Sequence, residues 1–106
     1  MKLIADEKIP NITSLLSPFF DVVTLPYQNI TPSTIKNADA LLVRSVTPVT
    51  KSLLQHSSIK CIGSATSGTD HIDQNYLKKN NIPFFSTKGS NKQAVAEYVL
   101  GLLSTL

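Results

Sequence analysis

Two short stretches concentrate the side chains that are able to do chemistry. In LLVRSVTP, residues 41–48, an apolar run delivers Arg44 and Ser45. The guanidinium is a planar fork of donors that fits a carboxylate or a phosphate, and the neighbouring hydroxyl adds a neutral donor. In CIGSATSGTDHID, residues 61–73, a second apolar run is followed by Thr66, Ser67 and Gly68. Two hydroxyls and an unobstructed backbone again suit an oxyanion. Each stretch also has a plainer reading. Arg44 can serve in a surface ion pair beside an ordinary loop serine, and residues 64–70 can be a turn in which Asp70 or Asp73 caps the next helix.

Other polar constellations are weaker. Asp6 and Glu7 follow the first apolar run, where they read either as a Mg²⁺-holding pair or as solvated carboxylates. His56, Cys61 and His71 match no zinc spacing, so no protein-borne metal is expected. No serine occupies a nucleophile elbow, and neither histidine has an evident orienting partner. His71, between Asp70 and Ile72 at a helix entrance, reads as a structural or solvated imidazole ahead of a general base. The chain contains no G-x-G-x-x-G and no Walker A loop, so these residues hold no dinucleotide through those devices.

The elements that must position these groups are legible from periodicity. Short apolar runs at KLIA (2–5), DVVTL (21–25), ALLV (40–43), KCIGSA (60–65) and PFFS (83–86) read as five strands. The continuous apolar character of 40–43 predicts burial on both faces. Between them lie helical segments. NITSLLSPFF has apolar residues at 12, 15, 16 and 19. TPSTIKNA has Thr31 as N-cap and Pro32 at the first helical position, where its missing N–H costs nothing. Thr50 is expected to cap KSLLQH, and QNYLKKN (74–80) forms a short helix. This alternation predicts an α/β fold, a flavodoxin-like doubly wound parallel sheet. Ligands of such folds collect beyond the carboxyl ends of the strands. There lie Asp6 and Glu7, Pro26, Arg44 and Ser45, Thr66 to Gly68, and Thr87 to Gly89.

Composition narrows the function classes. The 106 residues allow at most one domain, with 42% hydrophobic and 16% charged residues, as expected of a well-buried globular module. A net charge of +3 from scattered lysines, without a basic block or interleaved aromatics, gives no support to nucleic-acid binding. The single cysteine, Cys61, lies in an apolar run and reads as a small buried hydrophobe. The opening MKLIADEKIP is not a secretory signal, and no run approaches the roughly 20 apolar residues that span a bilayer. A cytoplasmic protein without membrane contact is the expectation.

The C-terminal stretch SNKQAVAEYVLGLLSTL opens with Ser90 and Gln93 in capping-box spacing. Residues 94, 95, 98, 99, 102, 103 and 106 make one apolar stripe, while Ala96 and Leu100 are apolar on the other side. A helix of this kind expects burial on two sides, and the second partner is expected from protein beyond Leu106.

Taken in order, LLVRSVTPVTKSLL, IGSATSGTDHID and GSNKQAVAEYVLGLL resemble the N-terminal part of D-isomer-specific 2-hydroxyacid dehydrogenases. The resemblance runs over essentially the whole chain. It implies an NAD-dependent oxidoreductase that acts on a small phosphorylated 2-hydroxy acid and works as a homodimer. It makes residues 1–90 a substrate-binding lobe and 91–106 the start of a helix leading to an NAD-binding Rossmann domain beyond this chain. Ser45 and Thr66 then correspond to substrate contacts; Arg44, Ser67 and Gly68 are added for their oxyanion chemistry. The family's catalytic arginine, glutamate and histidine lie later in the sequence, and neither His56 nor His71 takes the histidine's place. Catalytic, cofactor-binding and metal residues are therefore not expected in this segment. A different class remains in competition: a degenerate receiver-like signalling domain. Asp6 with Glu7, Thr66 and Lys88 mimic its conserved positions, but Arg44 and Ser45 stand where its phosphoacceptor aspartate belongs.

Overall fold

The computed structural model describes residues 1–65 and 69–86. Five strands, β1 (Lys2–Asp6), β2 (Asp21–Leu25), β3 (Ala40–Val43), β4 (Cys61–Ser64) and β5 (Phe84–Ser86), form one parallel sheet in the order β2-β1-β3-β4-β5. This is the flavodoxin-like order that the alternating pattern predicts. The predicted spans of β2 and β3 hold to the residue; β1 runs one residue further, and β4 and β5 are slightly shorter.

Side chains alternate across the sheet, and both faces are apolar. Leu3, Ala5, Ala40, Leu42 and Cys61 point to one face, where they meet Ile9, Ile12, Leu16 and Phe20 around helix α1 (Ile12–Leu16). Ile4, Leu41, Val43 and Ile62 point to the other. There Ile35, Leu53, Leu54 and Leu77 cover them from α2 (Pro32–Ile35), α3 (Lys51–Leu54) and α4 (Gln74–Lys79). Burial of each leucine, isoleucine, valine or phenylalanine among them is worth about 1.5–3 kcal/mol, so this two-sided core holds the sheet. β3 is buried at all four positions, as its unbroken apolar run required.

Local chemistry sets the helix ends. Thr31 caps α2 reciprocally with Thr34, and Pro32 stands at the first helical position. The Asp73 carboxylate accepts the Tyr76 N–H at 3.1 Å and caps α4. That helix closes in a Schellman motif: Asn81 takes φ 56°, its N–H donates to the Lys78 carbonyl, and the Ile82 N–H donates to Leu77. Two expectations fail. Thr50 starts α3 through its backbone carbonyl, without a side-chain cap. α1 stops at Leu16, because Pro18 has no N–H with which to continue it, and Phe19 is left 51% exposed.

Candidate functional site

All five strands run the same way, so their carboxyl ends share one edge. β3 ends at Val43, and Arg44 begins a tight turn that the Thr47 N–H closes on the Arg44 carbonyl at 3.1 Å. Ser45 and Val46 stand exposed at its tip. The sequence-predicted pair is therefore delivered directly after a fully buried strand.

The two residues then part company. Arg44 Nε donates to Asp6 Oδ2 at 2.9 Å, across the adjacent ends of β3 and β1. Asp6 is 0% exposed, and its Oδ1 accepts the Lys8 N–H at 2.8 Å. Both oxygens of this carboxylate are engaged within the protein. No group of three or more His, Cys, Asp or Glu suited to a metal occurs among the described residues. Glu7 is exposed. The plainer reading of Arg44, an ion pair, holds, but with a wholly buried partner. Its terminal nitrogens, on a side chain 27% exposed, carry no partner among the described residues. The receiver-like alternative loses its acidic pair by the same contact.

The neighbouring loop is laced to this one at both ends. The Ala65 N–H donates to the Val43 carbonyl at 2.9 Å as the two loops begin. At their return, Val49 and Ile72 form an isolated parallel bridge. There the Val49 N–H donates to the His71 carbonyl at 2.7 Å, and the Asp73 N–H donates to the Val49 carbonyl at 2.9 Å. Residues 44–48 thus leave from a paired strand and come back to a second pairing, with Ile72. Thr66, Ser67 and Gly68 lie outside the described residues, as do Thr87 to Gly89 and the C-terminal stretch 91–106.

His71 does have an orienting partner. Its Nε2 lies 3.1 Å from Ser64 Oγ, at the buried end of β4. Burial lowers the imidazole pKa, and the Asp70 carboxylate partly opposes this. Sequence reasoning missed Ser64 because the residue reads as the last position of an apolar strand.

It also missed Thr47. This residue is 4% exposed, and its Oγ1 has no hydrogen-bond partner among the described residues. A threonine between Val46 and Pro48 gives no periodic signal that would mark it as buried. Cys61 is buried as expected, and its thiol pKa is pushed up to about 11, first by burial and then by Asp39. Two surface depressions, one beside Leu77, Ile82 and Phe84 and one beside Glu7, Ile12 and Thr24, are lined by neither Arg44 nor Ser45.

Gly63, the only glycine among the described residues, is locked inside β4, where a Cβ would lie 2.5 Å from Leu42 Cδ2. It serves close strand packing and does not cradle a phosphate.

The family model for the D-isomer specific 2-hydroxyacid dehydrogenase catalytic domain matches residues 3–102. An erythronate-4-phosphate dehydrogenase of Marinomonas sp. (strain MWYL1) is 52% identical over 106 residues, covering all of this chain. One from Saccharophagus degradans is 43% identical over the same length. The chain spans 28% of the length of both relatives. Among solved structures, D-lactate dehydrogenase from Aquifex aeolicus, complexed with NAD and lactic acid, superposes with a TM-score of 0.70. The alignment covers 100% of this chain and 33% of that one at 21% identity, a likeness of fold.

Proposed function

Since the chain belongs to the D-isomer specific 2-hydroxyacid dehydrogenase family, we propose that it is the substrate-side lobe of an erythronate-4-phosphate dehydrogenase. The whole protein then oxidises 4-phospho-D-erythronate to (R)-3-hydroxy-2-oxo-4-phosphooxybutanoate, a step toward pyridoxine 5′-phosphate. NAD accepts the hydride and is held by protein outside these residues. The full-length enzyme is a cytoplasmic homodimer. The observation that carries the reading is 52% identity to a relative so described, over the entire chain.

The geometry supports a division of labour. The Arg44 turn presents Ser45 at the ligand edge of the sheet, where its hydroxyl donates to a carboxylate or phosphate oxygen of the substrate. Thr66 is proposed as its partner from the adjacent loop, with Ser67 and Gly68 adding donors. Arg44 is anchored by Asp6 through Nε and reaches the ligand only with its terminal nitrogens. One wall of a cleft excludes little water, so the isolated 106-residue polypeptide is expected to turn over no substrate.

The test is NADH production by the purified full-length enzyme from NAD and 4-phosphoerythronate. Wild-type protein should be active, and Ser45→Ala should raise the KM for the phosphorylated acid while leaving NAD affinity nearly unchanged. Absence of turnover by the wild type rejects the reading. A large loss of cofactor binding in Ser45→Ala rejects the placement of Ser45.

A further inference from the structure

The turn that carries Ser45 has little internal support. Among the described residues its backbone makes one hydrogen bond within the turn, Thr47 N–H to the Arg44 carbonyl. Its position is set by where it starts and where it returns. The start is secure, since Val43 pairs with Ser64 in the β3–β4 register and its carbonyl accepts Ala65 N–H. The return is tied at Val49, but to His71 and Asp73, which are not part of the sheet. Val49 and Ile72 are both buried in the core, which holds the return point, and a link from the His71 segment to β4 adds to that hold.

The side chain of His71 supplies that link. Its Nε2 meets Ser64 Oγ at 3.1 Å, in the strand position that pairs with Val43. Val43, Ser64, His71 and Val49 therefore form three sides of a closed frame, and residues 44–48 are the fourth. We propose that His71 is a positioning residue for Ser45: its imidazole braces the return of the 44–48 turn against the end of β4 and so sets substrate affinity without touching substrate. The inference rests on the reading of Ser45 as a substrate contact. Burial favours the neutral ring. Its Nε2 then either donates or accepts, and the serine hydroxyl is suited to both roles.

The experiment uses the full-length enzyme and compares wild type, His71→Ala, His71→Gln and Ser64→Ala with the double variant Ser64→Ala/His71→Ala. Loss of this part-buried hydrogen bond should raise the KM for the hydroxy acid about ten-fold, with kcat and the KM for NAD changed less than about two-fold. His71→Gln, which keeps a nitrogen near the Nε2 position, should recover most of that loss. The double variant should be no worse than the poorer single one, because both remove the same contact. Amide hydrogen exchange of Val49 and Asp73 should accelerate in His71→Ala. That readout does not depend on which substrate the enzyme takes, so it separates this inference from the proposed function. Unchanged exchange at Val49, an unchanged substrate KM in a turning-over enzyme, or equal falls in kcat for alanine and glutamine variants would each overturn the brace.

Discussion

Arg44 and Asp6, 38 positions apart in the chain, meet at adjacent strand ends, with Nε of one 2.9 Å from Oδ2 of the other. The partners are unequal: the carboxylate is sealed from solvent, while the guanidinium side chain keeps about a quarter of its surface exposed. Arg44→Met should therefore strand a buried charge and cost about 3 kcal/mol. Adding Asp6→Asn to that variant should restore at least half the loss, because no charge is then left inside. Urea unfolding of the two variants against wild type checks this; strictly additive costs would show that the groups do not depend on one another.

Gly63 is fixed by a neighbour and not by its backbone angles. A Cβ there would stand 2.5 Å from Leu42 Cδ2, inside the β3–β4 pairing. Gly63→Ala should destabilise by about 1–3 kcal/mol through overpacking. Shortening the neighbour with Leu42→Val should recover part of that loss in the alanine background, although it costs stability on its own. A double-mutant cycle read by thermal unfolding gives the sign.

Thr47 offers the opposite case. Its buried hydroxyl has no partner among the described residues, so Thr47→Val exchanges an unsatisfied polar atom for a methyl of similar size. The folded state should be unharmed or gain about 1 kcal/mol, as measured by urea midpoint.

Cys61 should resist alkylation in the native protein at neutral pH and react only on unfolding. Its thiol is raised from 9.0 to about 11, mainly by burial. Between those values the folded state holds a proton that the unfolded chain has lost. Stability therefore falls as pH rises through this window, by up to about 1.4 kcal/mol per pH unit, and is unaffected by this group below it. Cys61→Ala should flatten that part of the stability profile, whatever its effect at pH 7.

How much of the site could be read beforehand differs from residue to residue. The exposed place of Ser45 was legible because ALLV must be a buried strand, and whatever follows such a strand in an alternating α/β chain emerges at the carboxyl edge of the sheet. The charge of Arg44 was legible, but its destination was not. Choosing Asp6 over a ligand required β1 and β3 to be neighbours in a particular register. His71 read as a structural or solvated imidazole, but its partner could not be named. Ser64 sits near the end of an apolar run, and a hydrogen bond between residues seven positions apart leaves no periodic trace.

By itself the sequence determined what depends on nearest neighbours: the strands from their apolar runs, the start of α2 from Thr31 and Pro32, the start of α4 from Asp73, and the burial of Cys61. These follow from steric preference, missing or offered hydrogen bonds and hydrophobic transfer, which act over a few residues. Tertiary structure alone decided that Asp6 spends both oxygens inside the fold, and that Val49 and Ile72 pair again beyond the sheet. It also decided that an imidazole ties that second pairing to β4. Those outcomes depend on which strand ends lie side by side, a property of the sheet's order and register that no local stretch contains.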